Sequence, residues 1–129
     1  MNEQIQSFRD LRIYQEAFKL QQDIFQASKL WPAEEKYALI DQIRRSSRSI
    51  GANIAEAWAK RLYPQHFISK LTDADGELQE TALWLNTAAA CGYISGTEKV
   101  KSQARLDVIG RMLGKMLAMP DKFARRLQD

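Results

Sequence analysis

The stretch Leu39-Ile40-Asp41-Gln42-Ile43-Arg44-Arg45-Ser46-Ser47-Arg48-Ser49-Ile50-Gly51-Ala52-Asn53-Ile54-Ala55-Glu56-Ala57-Trp58 decides the fold. Leu39, Ile40, Ile43, Ser47, Ile50, Ile54, Ala57 and Trp58 recur at helical spacing and form one continuous apolar stripe. A stripe of that length must bury itself against other helices. Gly51 lies within it at a cost of about 1 kcal/mol against Ala, which implies close approach of a neighbour. The opposite face carries Arg45, Ser49, Ala52 and Glu56, small residues between charges. Long polar side chains are the usual cover of a solvated face, so this one suits contact with a second surface.

Working outward, this helix is expected over 34–60, and three further segments resemble it in length. The first spans 8–30, with Ser7 as N-cap and Asp10 as a capping-box acid. It carries two apolar stripes roughly 130° apart: Leu11, Tyr14, Phe18 and Phe25, and Ile13, Ala17, Leu20, Ile24 and Ala27. Both can be core, or part of the second can meet another subunit. The third spans 64–91, opened by Pro64 and stopped by Gly92, with Phe67, Leu71, Ala74, Leu78, Leu85 and Ala89 inside. The fourth spans 97–119, capped by Thr97 and ended by Pro120, with Leu106, Ile109, Leu113, Met116 and Leu117 inside. Residues 120–129 are expected as a short C-terminal segment, a final turn or a mobile tail. β-Branched runs with period-two alternation are missing. The expected architecture is all-α, an antiparallel up-down-up-down four-helix bundle forming one domain over 1–129.

Composition narrows the chemistry. The 129 residues are 45% apolar and 27% charged, the balance of an ordinary globular domain. One Cys and one His exclude a disulfide framework and any site needing two imidazoles from one chain. A di-iron bundle site needs two Glu-x-x-His pairs, and His66 has Tyr63 three residues before it. Cys91 stands near a helix C-terminus, where the dipole disfavours a thiolate. Ser46, Ser47 and Ser49 have no base at a readable spacing. The acids Asp73, Asp75, Glu77 and Glu80 are expected to meet basic residues of another helix or subunit rather than a cation. No catalytic residue, metal or cofactor is expected. No apolar run is long enough to cross a membrane, and the polar, acidic start MNEQIQSFRD is unlike a signal peptide, so a cytoplasmic location is expected.

The net charge is +3 and the isoelectric point about 9.1. On the fourth helix Lys101, Arg105, Arg111 and Lys115 share a sector of about 120°, away from the core stripe. Such a stripe is ordinary solvent-facing charge on one bundle; repeated around a symmetric oligomer it concentrates positive potential and can neutralise phosphates. Gly110 and Gly114 permit close backbone approach beside it. Trp84, with Leu83 and Ile68, lies off the core stripe of the third helix and suits an interface anchor. Together with Arg45, Ser49, Ala52, Asn53 and Glu56, it marks the expected oligomer interface.

The segment Gln42 to Glu56 resembles the signature of bacterial four-helix bundle proteins associated with intervening sequences of large-subunit ribosomal RNA genes, also labelled S23-type ribosomal proteins. Further matches in register are Phe8-Arg9-Asp10-Leu11, Tyr37-Ala38-Leu39, Phe67-Ile68, Ala74-Asp75-Gly76 and Gly92-Tyr93-Ile94. The family commonly has Pro where this chain has Gly51, and Gly where it has Ala57. The resemblance covers roughly residues 8–117 and implies an antiparallel four-helix bundle assembling as a ring of five subunits. More remotely, the chain is similar to the accessory protein of diversity-generating retroelements, a pentameric basic barrel that binds nucleic acid and a reverse transcriptase. Arg45, Asn53 and Glu56 match polar family positions, read here as structural or interface groups. The resulting expectation is a non-enzymatic homo-oligomer, a pentamer by the resemblance, binding RNA or DNA through its basic residues. The alternative is a scaffold that recruits a protein partner without touching nucleic acid.

Overall fold

Ser7 and Asp10 act as a capping box, but on a shorter element than the sequence suggests. The Ser7 hydroxyl accepts from the Arg9 N–H at 3.2 Å, and the Asp10 carboxylate accepts from the Ser7 N–H at 3.1 Å. They close one 3-10 turn, Phe8–Asp10, after which Leu11 is extended and turns its side chain into the core. Helix α1 (Arg12–Ser28) starts beyond that break. The structure, a computed structural model, describes residues 5–128. The outermost parts of the expected domain, residues 1–4 and 129, lie outside the described residues.

Between α1 and α2 (Leu39–Ala59) the chain makes a second 3-10 turn, Ala33–Glu35. The second helix therefore begins several residues later than its first acid, Glu34, implies. Glu35 is engaged elsewhere: Tyr93 donates its hydroxyl proton to Glu35 Oε2 at 2.9 Å. That bond, with Trp31 packed 6.1 Å from the Tyr93 ring, closes one end of the molecule. It also pushes the Tyr93 hydroxyl up to about 12.

Helix α3 (Pro64–Ala90) opens on its proline and stops at Gly92, whose φ of +78° favours glycine. The Tyr93 N–H reaches back to the Ala88 carbonyl and the Gly92 N–H to Ala89, the double bond of a Schellman stop. Helix α4 (Gly96–Ala118) is capped by Ser95 rather than Thr97. Ser95 and Glu98 exchange two 3.1 Å bonds, and the Ser-x-x-Glu spacing leaves Thr97 inside the first turn. The expected tail is instead a fifth helix, α5 (Pro120–Gln128). Pro120 ends α4 and supplies a favourable first residue for the next helix. Buried Ala124 and half-buried Phe123 hold α5 against the bundle, where it contacts α3 and α4.

The four long helices close a ring, each packing on its chain neighbours and α1 packing on α4. Short connections between packed neighbours make the arrangement antiparallel, and among the described residues there is no strand. Ile13, Ala17, Leu20 and Ile24 of α1 meet Ile43, Ile50 and Ile54 of α2, Phe67, Leu71 and Leu78 of α3, and Ile109 and Leu113 of α4 in one core. Ala88 rather than Ala89 completes the α3 stripe.

The two stripes of α1 separate cleanly. The aliphatic one is the core, so it does not serve another subunit. Of the aromatic one, only Leu11 is buried, while Tyr14 and Phe25 are half-buried and Phe18 is exposed along the α1–α2 seam. Gly51 packs against Tyr14 at this seam, where a Cβ would sit 3.4 Å from Tyr14 Cε1, an ordinary contact.

Candidate nucleic-acid interface

Two polar surfaces flank this core. The first is a seam across α2 and α3. Arg45 Nη1 lies 3.0 Å from Glu77 Oε2, and Nη2 bonds Glu80 Oε1. Trp84 Nε1 donates to the same Glu80 oxygen at 3.3 Å. One turn along α2, Ser49 donates to the Arg45 carbonyl and Asn53 to the Ser49 carbonyl. Glu56 then reaches Lys70 Nζ at 2.7 Å, and Lys70 also lies 3.8 Å from Asp73. The structure thus joins Arg45, Ser49, Asn53 and Trp84 in one network and sets Glu56 in a second, with Lys70 and Asp73, while Ala52 on the same helix is exposed.

Of the acidic run of α3, Asp73, Glu77 and Glu80 meet basic residues of their own fold, whereas Asp75 forms no ion pair among the described residues and accepts from Gln79 Nε2 at 3.5 Å. The hydrogen bond from Arg45 holds the Glu80 carboxyl below the usual range, and that from Lys70 does the same for Glu56. The seam consumes acids and leaves Ala52 and Ser49 as the small, uncharged part of its surface. Leu83, 53% exposed, adds apolar area next to Trp84.

The second surface is the outer face of α4. Lys101, Arg111 and Lys115 are exposed and form no ion pair among the described residues. Arg105 differs: its Nε lies 3.2 Å from Asp23 Oδ2 on α1, so its charge is compensated within the bundle. The periodicity of α4 places Arg105 on the stripe correctly, but which acid of α1 faces it depends on helix register, which spacing does not supply. Gly110 faces α3, where a Cβ would stand in ordinary contact 3.5 Å from Leu78 Cδ2. Gly114 faces open space. Between α3 and α4 lies a groove of about 360 Å³ whose lining includes Ala82, Leu106, Gly110 and Arg111.

A third feature is not legible from spacing. Phe25 of α1 is approached by three cations: Lys29 Nζ at 4.6 Å from the ring centroid, Arg44 Cζ at 4.7 Å and Arg48 Cζ at 5.5 Å. Arg44 is fixed further, its Nε donating at 2.8 Å to the hydroxyl of fully buried Ser28. The signal present in the sequence is the four-residue step from Arg44 to Arg48 on α2. Without knowing that this face meets Phe25, that step reads as ordinary surface charge.

No group of three or more His, Cys, Asp or Glu residues that could hold a metal ion occurs among the described residues. His66 is exposed beside the Tyr63 ring, and Cys91 is an exposed free thiol. No helix of the described residues is long and apolar enough to cross a membrane.

Comparison with known proteins fits this geometry. No curated protein matches the chain. A crystal structure of a protein with unknown function from the S23 ribosomal protein family of Bacteroides thetaiotaomicron is similar, with a TM-score of 0.75 and 28% identity. The similarity covers 83% of this chain and 96% of that one. The family described as 23S rRNA-intervening sequence protein matches residues 9–115, from the turn before α1 to the last turn of α4, leaving α5 outside. Over that span, and with the bundle just described, the chain belongs to the 23S rRNA-intervening sequence protein family.

Proposed function

We propose that this protein is a non-enzymatic, cytoplasmic homo-oligomer, a ring of five by its family resemblance, that binds RNA or DNA through basic residues displayed on the assembly. The observation that carries the reading is how charge is distributed. The α2–α3 seam pairs Glu56, Asp73, Glu77 and Glu80 with Arg45 and Lys70, while Lys101, Arg111 and Lys115 stay exposed without a carboxylate partner among the described residues. Unpaired cations attract a polyanion, and repeating them around a ring raises the local potential without new contacts within a subunit.

The oligomer itself is supported by the seam, where Ser49, Ala52 and Leu83 leave a low-charge surface rimmed by satisfied ion pairs. That is the usual make-up of an interface core with a polar rim. The test is fluorescence anisotropy with a labelled single-stranded RNA of about 20 nucleotides, comparing the natural chain with a Lys101→Glu, Arg111→Glu, Lys115→Glu variant. The reading predicts binding that the charge reversal weakens at least tenfold. Equal binding by both proteins contradicts the α4 site. Absence of binding by the natural chain to RNA and DNA favours the scaffold alternative.

A further inference from the structure

The cations around Phe25 are arranged unlike those beside Phe8, Tyr37 and Trp58. Arg9 with Phe8, Lys36 with Tyr37 and Arg61 with Trp58 are single cations on single rings. Phe25, by contrast with these three rings, holds three. Because each lies within 5.5 Å of one centroid, all three charges fall within about 10 Å of one another, one Debye length at 0.1 M salt. Among the described residues none of them forms an ion pair. The acid closest to them along α2, Asp41, forms none either, whereas Lys19, Arg45, Lys70 and Arg105 all do.

Intramolecular chemistry accounts for parts of this cluster but not for the whole. Lys29 follows the last residue of α1, where the helix dipole favours a cation. Arg44 anchors to Ser28, whose hydroxyl in turn donates to the Phe25 carbonyl at 3.1 Å. Neither reason applies to Arg48, which lies in the interior of α2, is exposed and has the ring as its contact. Three like charges held together repel, and that repulsion is relieved when an anion enters between them. The anchored Arg44 makes such binding cheaper: with Nε on the Ser28 hydroxyl and Nη2 3.5 Å from the Phe25 carbonyl, the guanidinium loses little freedom when its Nη1 edge meets a phosphate.

We infer that Lys29, Arg44 and Arg48, gathered on Phe25, form a second contact site for the phosphodiester backbone of a polynucleotide, on the α1–α2 face rather than on α4. This rests on the reading that the protein binds nucleic acid and adds where a strand crosses each subunit. The site recognises phosphate, so RNA and DNA of one sequence are expected to use it alike.

The test uses the full chain and a Lys29→Gln, Arg48→Gln variant. Both side chains are exposed and make no hydrogen bond or ion pair among the described residues, so the fold is retained, and an unchanged unfolding midpoint verifies this. Affinity for a labelled 20-nucleotide single strand, as RNA and as DNA, is measured from 50 to 200 mM salt. The expected result is a loss of about tenfold or more in affinity at low salt. Log K against log salt should also become shallower by about 1.4, two phosphate contacts at roughly 0.7 each. RNA should protect Arg48 of the natural chain from an arginine-selective reagent such as phenylglyoxal. A variant that binds with unchanged affinity and slope overturns the site while leaving the α4 reading in place. An effect on RNA but not on DNA overturns the phosphate assignment. No binding by the natural chain at 50 mM salt overturns this site together with the function it rests on.

Discussion

Replacing Gly51 with alanine probes the tightest joint between α1 and α2. Glycine in a helix interior costs about 1 kcal/mol relative to alanine, through backbone entropy. Gly51 is buried, yet the space it leaves is just sufficient for a methyl group. The added Cβ would meet Tyr14 Cε1 at 3.4 Å, Tyr14 Cδ1 at 3.7 Å and Gln21 Oε1 at 3.9 Å, all ordinary contacts. Gly51→Ala should therefore stabilise the protein by about 1 kcal/mol, raising Tm by roughly 3–5 °C for a chain of this size. A longer side chain has nowhere to go. The Tyr14 ring is held edge-on by Phe8 at 4.8 Å and stacked by Phe18 at 6.1 Å, so Gly51→Leu should cost about 1–3 kcal/mol. Gly114→Ala is the control, since it gains the same helix propensity in open space with no new contact. Urea unfolding followed by circular dichroism, at one fixed protein concentration, measures all three. Destabilisation by Gly51→Ala of more than about 0.5 kcal/mol, or a neutral Gly51→Leu, would refute the packing described for this joint.

The seam supplies two other predictions. Glu56 and Glu80 have folded-state carboxyls lowered by Lys70 and Arg45, so their stabilisation is present above the unfolded carboxylate range and lost as pH falls through the lowered values. Stability should drop below about pH 4.5, and Glu80→Gln should flatten that acid limb in urea titrations; an unchanged limb contradicts the pairing. Ala52→Arg or Ser49→Arg puts a long charge into the surface proposed as the subunit contact, and light scattering should show a smaller particle. A variant of unaltered mass places the contact elsewhere.

Class and the four long helices are legible in the sequence because burial is periodic: the stripe from Leu39 to Trp58 has one solution, a long helix against others. Helix ends are harder. Pro64 and Gly92 act through their own backbone, so the sequence reveals them directly. Thr97 misleads because Ser95 with Glu98 satisfies two backbone donors where Thr97 stands too late in the chain. Glu34 and Glu35 resemble first-turn acids, but Tyr93, far along the chain, claims Glu35. The expected tail is α5 because Phe123 and Ala124 find cover on α3 and α4, a tertiary effect that a short window does not contain. For the candidate sites the same division holds. Spacing gathers Lys101, Arg105, Arg111 and Lys115 on one helix face. Only the packing of α1 shows that Asp23 neutralises Arg105, and only the α1–α2 register brings Arg44 and Arg48 to Phe25.

The salt dependence of polynucleotide binding by the natural chain tests the functional account most directly. With roughly three to six unpaired cations per subunit meeting a single strand, log K against log salt should fall with a slope of roughly −2 to −4. A flat line, or no measurable complex at 50 mM salt with either RNA or DNA, would contradict it.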